Sequence, residues 1–244
     1  VNVRRGLDDL TGVDVVVRSL VDYRTAQLHD LTAETERARA AGAITVWDLS
    51  HAAGVVDLDL DGARVDLAAG CTYKFLNGGP GAPAFTYVRE SIHGSVVQPI
   101  WGWFGQRDQF AMDAPFDARP GIGRLLNGTP GILGLTAARC GIEVTAAAGM
   151  PAIAAKAAAL SGFAIDVAGE LGLTCPTAPT PESSGGHISV IHPDATALQS
   201  ALAARNVIVD KRDPDVLRFG LSPLTTQFVE VHDALSSLAG MLDT

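Results

Sequence analysis

The segment that decides the fold is residues 43–51, AITVWDLSH, a mostly apolar and β-branched run that ends in Asp48, Ser50 and His51. A continuous run of this kind predicts a strand that is buried on both faces, as in a parallel sheet. Ligands of parallel α/β sheets bind at the carboxyl ends of the strands. The polar residues that follow Trp47 therefore mark a candidate ligand site.

Further strand-like runs lie on both sides of this segment. Strands are predicted at residues 13–17, 43–47, 65–69 and 83–88. A helix is expected from about Thr32 to Ala41, with Asp30 or Thr32 as its N-cap and Gly42 as its end. Strands that alternate with helices predict a mainly parallel α/β sheet.

The pattern changes after the fourth strand. Residues 101–127 are rich in aromatic residues and proline and predict a long loop, and loops of this length are usually functional. Thr129-Pro130 is expected to open a helix, and another helix is predicted from Pro151 to about Leu171. After a loop at residues 177–186, the remaining sequence predicts strands at 188–191, 207–210 and 216–219. Helices are predicted at 195–205 and 226–242. We therefore predict a large domain over residues 1–150 and a small α+β domain over residues 151–244.

The composition excludes several classes of function. The 244 residues are 47% hydrophobic, which suffices for a buried core, and the formal net charge of −9 argues against nucleic-acid and anionic-membrane partners. Cys71, Cys140 and Cys175 are widely spaced, so we expect neither a disulfide scaffold nor a metal site. Charged residues interrupt the alanine-rich residues 146–173, which predict soluble helices. With no secretory segment at the visible N-terminus, we expect a cytoplasmic protein.

Lys74 is one of three lysines and the only one in an apolar, glycine-flanked segment, residues 71–81, CTYKFLNGGPG. A partly desolvated amine is a nucleophile that can form a Schiff base with a carbonyl. Pyridoxal 5′-phosphate (PLP) is the best-known cofactor bound in this way, and it needs a carboxylate beside its pyridine nitrogen. Asp48 fits that role, and His51 lies one turn further along.

Each of these residues also has a simpler explanation. A lysine before a glycine-rich turn is commonly a solvated surface residue, and an aspartate at the end of a strand is commonly a helix cap. A single histidine after it is commonly a polar loop residue. The combination and the order of Asp48, His51 and Lys74 favour the PLP interpretation.

These residues also resemble the motifs of the kynureninases, which are fold-type I PLP enzymes of the aminotransferase class V group. The matching stretches are VDYRT at 21–25, WDLSHAAG at 47–54, YKFLNGGPG at 73–81, GWFG at 102–105, NGTP at 127–130, DKRDP at 210–214 and LRFG at 217–220. The GWFG and LRFG stretches are more specific to kynureninases, whereas the Asp/His and Tyr-Lys stretches also occur, in looser form, in other class V enzymes. The resemblance implies a mainly parallel large domain followed by a small α+β C-terminal domain.

The resemblance implies roles around the cofactor for five residues. Lys74 would bind PLP and move protons at the substrate α-carbon, Asp48 would pair with the pyridinium, and His51 would lie against or near the ring. Tyr73 would hydrogen-bond the cofactor phosphate and serve as a candidate acid in carbon–carbon cleavage. Ser19 matches a position close to the cofactor.

Three further residues are implied in binding the substrate and the neighbouring subunit. Trp103 and Thr129 would reach the phosphate of PLP in the other subunit of a homodimer, so the active site would be shared. Arg218 would bind the α-carboxylate of an amino-acid substrate, and a guanidinium between apolar residues does need a carboxylate partner. An ordinary ion pair with Asp213 or Asp215 is the alternative for Arg218.

The implied reaction is hydrolysis of the β–γ carbon–carbon bond of L-kynurenine or 3-hydroxykynurenine, in tryptophan catabolism or NAD biosynthesis. The products are anthranilate, or 3-hydroxyanthranilate, and L-alanine. Two alternatives stay open: another class V enzyme such as a cysteine desulfurase or β-lyase, with Cys175 as the loop cysteine, and a truncated, non-catalytic homologue. The chain departs from the family in two respects. The N-terminal part that normally contacts the PLP phosphate is expected to be missing, and the run PLTTQF at 223–228 has threonine where kynureninases generally carry tyrosine.

Overall fold

The computed structural model describes residues 3–111, 115–177, 180 and 184–242. The helices are α1 (Leu31–Ala40), α2 (Ile132–Ala148), α3 (Met150–Glu170), α4 (Ala195–Ala204) and α5 (Phe228–Leu242). The strands are β1 (Val15–Ser19), β2 (Ile44–Asp48), β3 (Leu67–Cys71), β4 (Ala84–Val88), β5 (His187–Ile191), β6 (Asp210–Arg212) and β7 (Val216–Gly220). Between β4 and α2 the described residues form short 3-10 helices at Glu90–Ile92, Trp103–Gly105 and Gly121–Leu125.

The first sheet has the strand order β1-β2-β3-β4. β1, β2 and β3 are parallel, which confirms the mainly parallel sheet, and β4 runs antiparallel to β3. Residues 72–83 are all described and contain no helix, so no helical crossover joins β3 to β4. The register pairs Ser19 with Asp48, which brings the last residues of β1 and β2 together at the carboxyl edge.

Helix α1 packs against β2, and a capping residue in the sequence determines where the helix begins. Asp30 is the N-cap, and its side chain accepts a hydrogen bond of 2.9 Å from the backbone N–H of Ala33, so the first of the two predicted caps is confirmed. On the buried side, the indole of Trp47 donates a hydrogen bond of 3.0 Å to Thr35 Oγ1. This contact fixes α1 on the face of the strand that ends at Asp48.

The second sheet is antiparallel and has the order β5-β7-β6. Side chains alternate across a strand, and Ile188, Val190, Leu217 and Phe219 face a core formed with α3, α4 and α5. His187, Ser189 and Arg218 therefore lie on the opposite face of this sheet. That face is turned toward the first sheet, because Arg218 contacts the turn after β1.

Several predicted boundaries differ from those of the structure, and two of them have a clear physical cause. The strand expected at residues 207–210 is β6, Asp210–Arg212, because the N–H of Val207 donates to the Leu202 carbonyl and closes the end of α4. The helix expected to open at Thr129-Pro130 begins only at Ile132. Gly131 is its extended N-cap, and the Gly131 carbonyl accepts from Leu135 N, so the proline lies outside the helix. Both errors concern which backbone groups close a helix end.

Helix α3 is, within the described residues, the one helix long and apolar enough to cross a membrane by length and composition. Leu160, Ala164 and Ala168 of this helix are fully buried in the core beneath the second sheet, which is the arrangement of a core helix. A separate cluster of buried side chains, drawn from the segment between Leu20 and Ala68, lies at the first sheet. The division into domains at residue 150 stays a prediction. Of the predicted loop 177–186, residues 178, 179 and 181–183 lie outside the described residues.

Candidate active site

A cleft of about 640 Å³ separates the segment that follows β3 from the face of the second sheet that carries His187 and Arg218. It is lined by His51, Lys74 and Phe75 on one side and by His187, Arg218 and Thr225 on the other. A volume of this size accommodates a small organic ligand. The cleft therefore brings together three of the predicted site residues, His51, Lys74 and Arg218, from distant parts of the sequence.

The Lys74 segment is held by close backbone contacts. Asn77 N donates to the Lys74 carbonyl at 2.9 Å, which closes a turn, and Gly78 N donates to the Thr72 carbonyl at 2.8 Å. Gly54 has a φ of +89°, and a Cβ there would lie only 2.7 Å from the carbonyl of Phe75. Glycine is required at this position, because both the dihedral angle and the close approach exclude a side chain.

The amine of Lys74 lies beside the imidazole of His51, with 3.2 Å between Nζ and Nε2. Burial, together with the positive charges of Lys74 and Arg218, lowers the pKa of His51 to about 4. The ring is therefore neutral at neutral pH, and its Nε2 can accept a hydrogen bond from the Lys74 amine. Lys74 is thus a half-buried amine whose partner is a neutral ring. The amine of Lys211 is instead paired with the carboxylate of Asp213, at 2.6 Å.

Asp48 is half-buried at the end of β2 and is held by hydrogen bonds. Ser19 Oγ donates to one carboxylate oxygen at 3.1 Å, and the backbone N–H of Ser50 donates to the other at 2.9 Å. Burial alone raises the pKa of Asp48, but the hydrogen bonds from Ser50 and Ser19 outweigh it and hold the pKa below its ordinary value. The carboxylate is therefore ionised at neutral pH. It does not itself line the cleft, and it acts on the cleft through the charge it presents to His51.

Arg218 is only 8% exposed, in the middle of β7. Its Nη1 donates to the carbonyl of Tyr23 at 2.9 Å, and its Nη2 forms an ion pair with Asp210. Asp210 lies directly opposite Arg218 in the β6–β7 register. The guanidinium is thus a buried cation whose carboxylate partner belongs to the wall of the same cleft.

The alternative ion pairs considered for Arg218 are wrong. Asp215 binds Arg24 at 2.9 Å, and Asp213 binds Lys211 at 2.6 Å. Both aspartates follow β6 in the turn that leads to β7, and their partners lie outside the cleft lining. Sequence proximity suggested these partners, whereas the strand register determines the actual one.

Tyr73, Trp103 and Thr129 do not line the cleft. Tyr73 is 51% exposed, and its ring centre lies 5.6 Å from Lys74 Nζ. Trp103 is 43% exposed and packs edge-to-face on Phe104, whose N–H donates to the Asn127 carbonyl at 3.0 Å. The segments that carry Trp103 and Thr129 therefore lie side by side on the surface.

Sequence reasoning missed two of the ionisable residues that line the cleft, His187 and Asp210. The strand predicted at residues 188–191 excludes His187, although His187 is the first residue of β5 and its ring centre lies 5.8 Å from that of His51. The motif at residues 210–214 predicts no separate role for Asp210. A polar residue that alternates with the buried Ile188 and Val190 is the signal that marks His187 as facing away from the core.

Cys175 does not have the position of a desulfurase nucleophile. It packs, partly buried, against the core formed by α3, α4 and α5, and it does not line the cleft. A cysteine that attacks a bound substrate must reach the reacting atoms. The cleft therefore gives no support to the desulfurase alternative.

Solved structures share this architecture. The cysteine desulfurase from Thermococcus onnurineus NA1 superposes with a TM-score of 0.83 at 19% identity, over 96% of this chain and 61% of that chain. The cystine C–S lyase C-DES gives 0.82 at 18% identity, over 93% of this chain and 61% of that chain. The ureidoglycine–glyoxylate aminotransferase from Bacillus subtilis gives 0.71 at 18% identity, over 94% of this chain and 60% of that chain. The chain has the fold of the PLP-dependent fold-type I enzymes of the aminotransferase class V group, as predicted.

Sequence comparison narrows this class. The family model of the kynureninase C-terminal domain matches residues 153–238. The kynureninase of Burkholderia mallei strain SAVP1 is 44% identical over 244 residues, which cover 98% of this chain and 58% of that protein. The kynureninase of Pseudomonas fluorescens is 42% identical over 235 residues, 94% of this chain and 56% of that protein. The chain is similar in sequence to these kynureninases and spans less than two thirds of their length.

Proposed function

We propose that the protein is a PLP-dependent kynureninase that hydrolyses the β–γ carbon–carbon bond of L-kynurenine or 3-hydroxykynurenine. One observation carries this proposal: the amine of Lys74 and the buried guanidinium of Arg218 face the same cleft. An α-amino acid has one group for each side, since its amine reacts at the lysine-bound cofactor and its carboxylate pairs with the guanidinium. The 44% identity to the kynureninase of Burkholderia mallei supports this reaction over others of the class.

The residues present fit PLP. Lys74 supplies the primary amine, and the ionised carboxylate of Asp48 suits a protonated ring nitrogen. Ser19 fixes the orientation of that carboxylate, and the neutral ring of His51 adds no positive charge beside the cofactor. When bound, PLP supplies an electron-accepting ring that stabilises negative charge at the substrate α-carbon.

Lys74 and Tyr73 would move the protons. Lys74 Nζ, held by its hydrogen bond to His51 Nε2, would take the proton from the α-carbon and return it. Tyr73, whose ring lies 5.6 Å from Nζ, would hydrogen-bond the cofactor phosphate and protonate the carbon released by cleavage. One water is consumed: its oxygen ends in the carboxylate of the aryl acid, and one of its hydrogens ends on the methyl group of alanine.

Arg218 would bind the α-carboxylate. Its planar guanidinium offers a two-point contact to a carboxylate, and its low exposure keeps water from weakening that contact. In the structure Asp210 occupies this position, so a carboxylate is already accommodated there. Substrate binding would replace one carboxylate by another.

We also propose a homodimer with a shared active site, in which Trp103 and Thr129 reach the cofactor phosphate of the neighbouring subunit. The support is an exposed apolar surface on this side of the chain: Trp101 is 65%, Phe110 74% and Leu133 88% exposed. Exposed apolar patches of this kind are usual at protein interfaces.

The domain division and the cellular location belong to the same proposal. A PLP-binding domain at residues 1–150 and a small domain at residues 151–244 agree with the two sheets and their separate cores. We place the protein in the reducing cytoplasm, where its three cysteines would remain free thiols. Each domain contributes one side of the cleft.

The test is product analysis with the purified protein, PLP and either substrate. We expect a fluorescent aryl acid and L-alanine in equal amounts. Lys74→Arg should abolish the reaction, because a guanidinium cannot replace the reactive amine, whereas the control Lys211→Arg should retain it. Release of sulfide from cysteine without cleavage of kynurenine would favour another class V activity. Absence of both cofactor binding and turnover would favour the non-catalytic homologue.

A further inference from the structure

His187 is a buried residue of the cleft to which the proposed chemistry gives no task. It is the first residue of β5 and only 4% exposed, yet it lines the same cleft as Lys74 and Arg218. Its ring centre lies 5.8 Å from that of His51. His187 is therefore a neighbour of His51, whose ring contacts the amine of Lys74.

The hydrogen-bonding state of His187 leaves one nitrogen available. The ring interacts with the backbone carbonyl of Tyr23, which also accepts a hydrogen bond from Arg218. Nε2 is buried and has no hydrogen-bond partner among the described residues. Burial, together with the charge of Arg218, lowers the pKa of His187 to about 3, so the ring is neutral. With the proton on the nitrogen that faces the Tyr23 carbonyl, Nε2 can only accept a hydrogen bond.

The surroundings of His187 leave room for a ligand. Gly220 is its direct partner in the β5–β7 register, and a Cβ built on Gly220 would meet no atom within 4 Å. Apolar walls formed by Phe75 and Val209 line the same cleft. A buried acceptor without a partner costs about 1–3 kcal/mol, so a ligand in the cleft that brings a donor to Nε2 would remove that cost.

We propose that His187 accepts a hydrogen bond from an N–H or O–H donor on the aromatic side chain of the substrate. This inference rests on the proposed function. The α-amine would be engaged at the lysine-bound cofactor and the α-carboxylate at Arg218. The donors that remain are the ring amine of kynurenine and, in 3-hydroxykynurenine, also the ring hydroxyl. His187 is thus a specificity-determining residue for the aromatic part of the substrate.

The test compares three substrates in three variants. The substrates are L-kynurenine, 3-hydroxykynurenine and the kynurenine analogue that lacks the ring amine. His187→Leu removes the acceptor, His187→Gln keeps an acceptor oxygen, and His232→Leu is the matched control on the exposed surface of α5. In His187→Leu we expect kcat/KM to fall about tenfold for substrates that carry the donor and to stay unchanged for the analogue. His187→Gln should restore part of the loss.

The pattern of losses decides the outcome. A loss for both natural substrates identifies the ring amine as the donor, and a loss confined to 3-hydroxykynurenine identifies the hydroxyl. An equal loss for all three substrates, or none, overturns the inference. Wild-type turnover tests the proposed function by itself, so the two failures are distinguishable.

A binding measurement gives a readout that does not need turnover. The dissociation constants of anthranilate and benzoate, which differ by the ring amine, can be compared in the same variants by competition. If His187→Leu does not fold, Gly220→Ala replaces it, since its added methyl group enters the open space beside His187. We expect Gly220→Ala to keep its melting temperature and to weaken anthranilate more than benzoate. Equal dissociation constants in wild type and Gly220→Ala would overturn the inference.

Discussion

Replacing Arg218 with alanine should raise KM far more than it changes kcat. Arg218 is 8% exposed, and its guanidinium is shared between the Tyr23 carbonyl, at 2.9 Å, and the carboxylate of Asp210. In the proposed complex the substrate α-carboxylate takes the place of Asp210. That contact forms in the ground state and persists through the reaction, so its loss appears mainly as weaker binding.

The size of the effect follows from the burial of the pair. Hydrogen bonds to charged groups contribute about 1.5–3 kcal/mol, which corresponds to an increase in KM of about 10- to 150-fold. Arg218→Lys should fall between wild type and alanine, because it keeps the charge but loses the planar two-point contact. The assay is steady-state kinetics with L-kynurenine, following the fluorescence of the aryl acid.

Asp210→Asn supplies the complementary change. Asp210 competes with the substrate for Arg218, so removal of its charge should lower KM. The substitution should also lower the free energy of unfolding, because Arg218 is only 8% exposed and would lose its carboxylate partner. An unchanged KM in a folded Arg218→Ala protein would refute the carboxylate-binding role. The matched control is Arg107→Ala, which removes an exposed ion pair with Asp117 and should leave KM unaltered.

Three other predictions concern stability and assembly. Gly54→Ala should destabilise the protein by about 1–3 kcal/mol more than Gly79→Ala in urea denaturation, because both have positive φ but only the first meets backbone atoms; equal losses would contradict this. The pKa values of His51 and His187, about 4 and about 3, lie below the ordinary 6.5, so the unfolded state binds more protons and the free energy of unfolding should fall as pH drops from about 6.5 toward 4. A flat profile over that range would contradict those values, and His187→Leu should reduce the slope. Trp103→Ala should shift the protein toward monomer in analytical ultracentrifugation, and an unchanged dimer would count against the shared site.

Much of the first sheet could be predicted because its signals are local. The four β-branched or apolar runs produce β1 to β4, and the short carboxylate of Asp30 caps α1 through a contact three residues away. The carboxyl-edge placement of Asp48 followed from the parallel sheet alone. These features depend on neighbouring residues or on one rule of topology.

The rest of the site depends on contacts between distant residues. The run Val207-Ile208-Val209 looks like a strand, but two of these residues pack on the core and Ile208 is 82% exposed, so pairing with β7 starts only at Asp210. The Asp210–Arg218 pair follows from that register, which no local pattern reveals. The contact of His187 with the turn at Tyr23 likewise depends on how the two sheets meet.

The most direct test of the account is to locate the covalently bound cofactor. The protein is loaded with PLP, reduced with borohydride, digested and analysed by peptide mass spectrometry. The chain contains only three lysines, Lys74, Lys156 and Lys211, so the assignment is unambiguous. The account predicts a stoichiometric adduct on Lys74, with Lys156 and Lys211 unmodified, and loss of the adduct in Lys74→Ala. Modification of all three lysines to a similar extent, or no adduct on Lys74, would contradict it.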